Sequence, residues 1–411
     1  MTTFARDQLT ALGIPDEPDR GRMLREIGAR LRAAMADKGV DALILLGNGN
    51  VVYATGASWR LLDAGLSHVE RPVAIVLADD EYPHLYVPFR EGAAFETDIP
   101  ADHLHGPLYL EFEEGVEQLA GIVADLLRPG ATVAVDEMTG AMRKAASRIF
   151  PSGPPSDAAQ VIGPAKLVKT PDQIACIRRA CRITEQAMAD VQHSLKPGVR
   201  QIDLSAEFVR QAFEHGATAN MLEAIWQVMP NSKAEGTWTT TGDLALPLLT
   251  TERELAAGDV LWTDASITYS GYCSDFGRTW LVGETPTARQ QAQFEKWREI
   301  LAAVLKVTKA GATSGDLARA AIAANGGNKP WLPHFYLGHG IGTNAAEMPM
   351  IGTDLGQAFD DNFVYPAGMV LVLEPVVWED GTGGYRSEEI IVITEDGFAP
   401  LTDYPYTPYG D

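Results

Sequence analysis

Four carboxylates and one imidazole, spread in order through the C-terminal half of the chain, have the composition of a metal site. They are Asp264 and Asp275 in VLWTDASITYSGYCSDFGRTW, His339 in YLGHGIG, Glu374 in GMVLVLEPVV and Glu388 in YRSEEIIVIT. Hard oxygen donors with a single nitrogen suit two adjacent divalent ions better than one tetrahedral zinc, because shared carboxylates neutralise two close cations. Two ions roughly 3.5–4 Å apart can activate water and hold both the attacked and the leaving atom of a substrate. A metalloenzyme is what this set predicts.

The local contexts support the grouping. Asp264 and Asp275 straddle Ser270-Gly271. Their odd separation puts them on opposite faces of a straight strand, so a hairpin or bend must return the second beside the first. Gly338, Gly340 and Gly342 flank His339, where backbone must turn tightly or approach the ions closely. Glu374 follows the apolar run MVLVL, and a charge placed directly after a core strand needs a partner, which a cation supplies. Arg386 and Glu388 share a strand face by period two while Glu389 points away, which selects Glu388 as the ligand. Glu374 is also the expected proton carrier, since a ligand carboxylate beside an attacking water can take its proton and later give it to a leaving nitrogen. His334 and Glu347 are further catalytic candidates, and Trp59, Arg60 and Arg386 are candidate substrate contacts. Cys273 reads as a small buried hydrophobe. His103 and His105 in ADHLHGP have ligand-like spacing, but no acidic or cysteine companion in a known pattern stands near them in sequence.

The elements that must position these residues follow from the patterning. At 411 residues the chain exceeds the usual single core, and two domains are expected, at 1–160 and 161–411. In residues 21–38, Met23, Leu24, Ile27, Leu31 and Met35 form one helical stripe that Gly39 ends, and VDALILL reads as a buried strand. RPVAIVLAD, HLYVPF and TVAVDE read as strands, and 111–127 and TGAMRKAASRIF as helices, an α/β alternation. The breaker-rich run PSGPPSDAAQ reads as a surface connection. A long helix with proline in its first turn, PDQIACIRRACRITEQAMADVQHSL, opens the second part. That part ends in strands too numerous for a doubly wound sheet, so a helix-backed antiparallel sheet is expected.

Composition excludes several classes. A formal charge of -22 repels phosphate backbones and anionic lipid, which argues against nucleic-acid and membrane partners. Three cysteines in a chain of this length fit a reducing cytoplasm rather than a disulfide framework. The N-terminus has no apolar signal region, and no run of about 18 apolar residues occurs. A cytoplasmic enzyme acting on a small-molecule or short-peptide substrate is the expectation.

With these motifs in place, the chain resembles the pita-bread-fold metallopeptidase family. That family includes Xaa-Pro dipeptidases, Xaa-Pro aminopeptidases and methionine aminopeptidase, with creatinase and dimethylsulfoniopropionate lyase as relatives. The resemblance spans most of the chain, from NVVYATG at 50–56, through KLVKTPDQIACIRRACRI, to the five ligands and the Arg278-Thr279 pair. It implies an α+β protein: a C-terminal pita-bread catalytic domain behind a smaller, creatinase-type α/β domain. It further implies a dinuclear site taking Mn, Co, Fe or Zn, and a homodimer in which the N-terminal domain walls off the partner's site; the polar-aromatic segment 54–70, with Trp59 and Arg60, has the composition of a loop that could do so.

The departures bear on the reaction. The peptidases carry a second histidine seven residues after the ligand histidine, where this chain has Ala346, and a methyl cannot stabilise an oxyanion. No histidine occurs from Gly216 to Pro333, which leaves His334 and Glu347 as substitutes. An Xaa-Pro dipeptidase- or aminopeptidase-like hydrolase is the leading expectation. The alternatives are a metal-dependent elimination like that of dimethylsulfoniopropionate lyase, with Trp262 and Trp280 facing an onium group, and a non-catalytic member of the family.

Overall fold

The computed structural model describes residues 8–59, 71–87, 95–221, 224–232, 250–332 and 334–410. Arg60 and the TWTTTGDLALP segment lie outside them. The chain divides into two compact units, one of Glu17–Gln173 and one running from Ile174 onward that also takes the described residues up to Asp16.

In the N-terminal unit, the helix Arg20–Lys38 starts where the Asp19 carboxylate accepts from the Arg22 N–H and ends at Gly39, whose φ of 63° suits glycine. Its buried residues include Met23, Leu24, Ile27, Leu31 and Met35, the stripe read from the sequence. A six-stranded mixed sheet runs in the order Leu104–His105, His84–Tyr86, Val73–Leu77, Ala42–Leu45, Val133–Val135, Ser156–Asp157. Ala42–Leu45 is central, antiparallel to Val73–Leu77 and parallel to Val133–Val135, and its four residues are buried. Helix Glu113–Leu126 covers the sheet with Val116, Leu119 and Val123. The helix expected over TGAMRKAASRIF is two short pieces, Gly140–Lys144 and Ala146–Ile149, and the breaker-rich run contributes the edge strand Ser156–Asp157.

Helix Pro171–Gln192 leads the chain into the second unit, which is antiparallel in every strand pair described. One hairpin organises half of it. Val260 pairs with Leu281, Trp262 with Thr279, Ala265 with Phe276, and Tyr269 with Tyr272, a single register across two sheets and an isolated bridge. Ser270 and Gly271 close it with φ of 51° and 80°, the left-handed pair of a two-residue hairpin turn. The other half is a five-stranded sheet in the order Glu347–Ile351, Gly338–Gly340, Val370–Leu373, Glu389–Ile393, Phe398–Pro400. Helices Ala288–Val307 and Ser314–Ala324 pack on each other, each started by a capping box, Thr287 with Gln290 and Thr313 with Asp316. This is the α+β organisation expected: an α/β N-terminal domain and a helix-backed, antiparallel pita-bread domain.

Candidate metal centre

Register alone brings the ligands onto common faces. In the long hairpin Ala265 opposes Phe276, so Asp264 falls opposite Gly277, and Asp275 is two residues from Gly277 along the other strand. The odd separation that would split the two aspartates on a straight strand therefore unites them on one face of a hairpin. Gly277 cannot be larger: a Cβ there would lie 2.3 Å from the Thr263 carbonyl oxygen and 3.1 Å from Glu388 Oε1. In the five-stranded sheet, His339 opposes Val372 and Leu373 opposes Glu389. Glu374, one residue past Leu373, then falls opposite Glu388, and its N–H donates to the Leu337 carbonyl, which keeps it on the His339 face.

The side chains meet accordingly. Donor atoms of Asp264, Asp275 and Glu388 lie within 4.8 Å of one another. His339 Nε2 is 3.4 Å from Asp275 Oδ2 and 3.4 Å from Glu374 Oε1. His339 Nδ1 lies 2.8 Å from the Gly340 carbonyl oxygen. A carbonyl only accepts, so Nδ1 carries the proton and Nε2, aimed at the carboxylates, is the nitrogen that would be offered to a metal. The cluster is buried, with Asp275, His339, Glu374 and Glu388 each under one-tenth exposed.

Arg386 reports what the cradle is built for. A single nitrogen, Nη2, lies 3.0 Å from Asp264 Oδ2, 2.7 Å from Glu374 Oε2 and 2.6 Å from Glu388 Oε1. It stands in for a cation among three carboxylates, and the guanidinium is backed by the Trp262 ring 4.8 Å away. It does not satisfy the site. Asp264 Oδ1 and both Glu388 oxygens are buried without a hydrogen-bond partner. Three carboxylates share that one guanidinium nitrogen while Asp275 leans on His339, and burying so many acids together is costly unless further cations neutralise them. Two divalent ions would do so, and the donor set fits them: Asp264, Asp275, His339, Glu374 and Glu388 are the residues that would hold the pair.

Without metal, the electrostatics show the same strain. Burial pushes the Asp275 carboxyl up to about 7, with Asp264 and Glu374 adding to the shift and His339 opposing it. Burial and the Asp264 charge push Glu388 well up, against the pull of Arg386. For His339, burial alone would lower the imidazole, but Asp275 and Glu374 hold it well above its usual value.

The remaining candidates fall as follows. Glu347 is buried and accepts from the Thr343 and Asn344 N–H groups at 3.1 and 3.2 Å, which fastens the glycine-rich turn after His339. His334 lies on an exposed turn at φ 59°, paired with Asp354 at 2.6 Å, and lines a surface cavity of about 640 Å³ with Trp331 and Trp378. Nothing in that position directs it to the five ligands, because the left-handed turn carries its ring to the Asp354 side. Arg386 is enclosed by ligand carboxylates, so a substrate contact there has to compete with them. Trp59 is in the short strand Ser58–Trp59, paired with Phe95 in the N-terminal unit. Ala346 is exposed, on the turn leading into strand Glu347–Ile351.

Two further groups line the cluster: Tyr336, which the sequence did not single out, and Arg278, known from it only as part of the Arg278-Thr279 pair. Tyr336 stands edge-on to His339 with ring centroids 5.0 Å apart, and burial with the Glu374 charge pushes its phenol up. Arg278 lies between the Phe276 and Tyr406 rings, 4.3 and 4.6 Å away, and donates to the Glu388 carbonyl at 2.6 Å and to the Glu389 carboxylate at 2.8 Å. Glu389 is thus committed to a structural ion pair on the face opposite Glu388. The Arg278-Thr279 pair is visible in the sequence, but its partners come from more than one hundred residues away.

A dinuclear metal site carried by antiparallel strands, in a chain that also has an N-terminal α/β domain, defines a pita-bread metallohydrolase. Residues 175–395 match metallopeptidase family M24 and residues 29–163 match the creatinase/prolidase N-terminal domain, and the chain belongs to the M24 family. It is similar to a probable dipeptidase, PepE, of Mycobacterium tuberculosis, 26% identical over 91% of this chain and 93% of that protein. It is also similar to the Xaa-Pro dipeptidase of Pyrococcus horikoshii, 26% identical over 90% of this chain and 94% of that one. Among solved structures, the X-Pro aminopeptidase of Thermotoga maritima superposes with a TM-score of 0.72 at 22% identity, over 92% of this chain and 98% of that chain. The fold and the metal-dependent hydrolase class expected from the sequence are thereby established.

Proposed function

We propose that this protein is an Xaa-Pro dipeptidase- or aminopeptidase-like hydrolase that cleaves short peptides. The observation that carries the reading is the cluster itself: four carboxylates and one imidazole brought together, with Asp264 Oδ1 and both Glu388 oxygens left without a hydrogen-bond partner despite Arg386. Bound divalent ions supply Lewis acidity, which acidifies water and polarises an amide carbonyl. The chain's own residues do the rest. Glu374, in contact with both His339 and Arg386, takes the proton of the attacking water on its carboxylate and delivers it to the leaving nitrogen. Glu347 holds the turn that fixes His339, a positioning role rather than contact with substrate. Ala346 offers no oxyanion donor, and loss of one such donor lowers rate by roughly 10²–10³, so slow turnover is expected.

Full-length protein reconstituted in turn with Mn, Co, Fe and Zn should release free amino acid from a panel of Xaa-Pro dipeptides or small N-acyl substrates. Release from none of them, with any metal, overturns the proposal. No observation among the described residues favours elimination: Trp280 is stacked on Trp226 at 5.0 Å within the core, and the Trp262 face lies under Arg386.

The assembly belongs to the same reading. We propose a two-fold homodimer in which the segment around Trp59 and Arg60 limits entry to short substrates, as suits the commonest oligomer symmetry. Light scattering at micromolar concentration should give twice the chain mass; a monomer refutes the dimer, and an unchanged substrate-length profile in Trp59→Ala and Arg60→Ala refutes the gate.

A further inference from the structure

Three of the chain's eight histidines stand together in the N-terminal unit, far in sequence from the five ligands: His84, His103 and His105. His84 opens the strand His84–Tyr86, which pairs with Leu104–His105 at the edge of the six-stranded sheet, with Tyr86 opposite His105. His103 ends the single turn Ala101–His103 just before that edge strand. Asp80 lies in the turn joining Val73–Leu77 to His84–Tyr86. The sheet therefore brings His103 to Asp80 and His84, about twenty residues earlier in the sequence.

We propose that Asp80, His84 and His103 form a second metal site, one that takes a borderline divalent cation, Zn²⁺ by its donor set of two imidazoles and one carboxylate. Three observations carry it. The first is convergence. Asp80 Oδ2 is 3.5 Å from His84 Nε2 and 3.2 Å from His103 Nε2, and the three donor atoms lie within 4.8 Å of one another. Ligands on a tetrahedral zinc, at bonds of about 2.0–2.1 Å, stand roughly 3.3 Å from each other, which those distances bracket.

The second is orientation. Both imidazoles direct Nε2 at the same carboxylate oxygen, and each has its other nitrogen engaged behind it. His103 Nδ1 lies 3.2 Å from Asp102 Oδ1, and His84 Nδ1 lies 3.0 Å from His105 Nε2. A carboxylate behind Nδ1 fixes the proton there and leaves Nε2 as the donor to a metal, the arrangement that orients histidine ligands generally. His105 is itself held by stacking on Tyr86, with centroids 4.5 Å apart.

The third is preparation of the carboxylate. The Tyr82 N–H donates to Asp80 Oδ1 at 3.2 Å, which turns Oδ2 to the imidazoles. The turn is pinned from outside by Arg32, whose Nη1 donates to the Asp80 and Glu81 carbonyls at 3.2 and 2.8 Å. The His84 and His103 rings stack with centroids 4.5 Å apart, a poor arrangement for two imidazolium ions and an acceptable one for two neutral ligands. Side-chain exposures of 12% for His84, 16% for His103 and 31% for Asp80 leave the fourth position to water, with the three protein ligands clipping a turn, a strand and the start of an edge strand together.

The test measures zinc in the full-length protein. His84→Gln with His103→Gln should bind one zinc ion per chain fewer than the wild type, by elemental analysis after equilibration with Zn²⁺ and removal of free ion. Asp275→Asn should lower the count separately, so that the two losses add. An unchanged count in the histidine double variant overturns the site; failure of the dinuclear reading would show in Asp275→Asn alone. Should the double variant misfold, wild-type protein decides. Diethylpyrocarbonate labelling mapped by mass spectrometry should show His84 and His103 protected by Zn²⁺ while the exposed His193 is labelled equally with and without it. Equal labelling of His84 and His103 with and without Zn²⁺ overturns the proposal.

Discussion

At the scale of single residues, the clustering of the five candidate ligands was legible because each carries its own local reason: an aspartate on either side of a tight turn, a histidine between glycines, a glutamate after an apolar strand, and a glutamate chosen by strand parity. Arg386 was less legible. Its face could be counted from the sequence, but its enclosure by Asp264, Glu374 and Glu388 depends on three strands meeting. His334 shows the opposite limit, since nearness to His339 in sequence said nothing about a left-handed turn that pairs it with Asp354. Two predictions sit at this scale. Asp275→Asn should lose at least one metal ion per chain and nearly all hydrolysis, because an amide neither balances the charge nor bridges two cations; retained stoichiometry would count against the assignment. Glu347→Gln should lower metal affinity with a smaller loss of turnover per loaded site, since the amide still accepts from Thr343 and Asn344. A fall in kcat with full metal occupancy would instead place Glu347 in the chemistry.

Elements carry the site through register, and here the sequence was informative wherever a turn was. Ser270-Gly271 closes a hairpin whose register runs from Tyr269 opposite Tyr272 to Val260 opposite Leu281, and this brings Asp264 and Asp275 to one face. The pairing of Glu374 with Glu388 was not legible in this way, because Val370–Leu373 and Glu389–Ile393 are joined through another hairpin whose bends the sequence does not fix. For the same reason the companions of His103 went unseen: Asp80 and His84 arrive through pairing of His84–Tyr86 with Leu104–His105. Gly277→Ala tests the element scale. The added Cβ meets the Thr263 carbonyl oxygen at 2.3 Å and Glu388 Oε1 at 3.1 Å, so the strand must shift and carry Glu388 with it. Overpacking of this kind costs about 1–3 kcal/mol. A lowered melting temperature together with weakened metal binding is expected; lowered stability with unchanged metal affinity would show that Glu388 tolerates the shift.

For the whole molecule, the consequence of building a site from buried carboxylates is a stability that depends on metal and pH together. In metal-free protein, burial and neighbouring carboxylates push Asp275 up to about 7, and Glu388 is also pushed up. Glu185, away from the ligands, is raised to about 7, chiefly by burial. In the unfolded chain these groups return to the ordinary carboxylate range. Between that range and neutrality the folded state holds protons that the unfolded state has released, so metal-free stability falls as pH rises. Bound cations replace the protons at Asp275 and Glu388 but not at Glu185. Thermal unfolding from about pH 5 to about pH 8 should therefore show a steep fall for stripped protein and a shallower one for loaded protein. The charge of -22 adds self-repulsion to both samples and largely cancels in their difference. Glu185→Gln should flatten the loaded profile further and leave the gap between loaded and stripped protein intact. Parallel profiles for the two samples would mean that the carboxylate cluster is not where the metal acts.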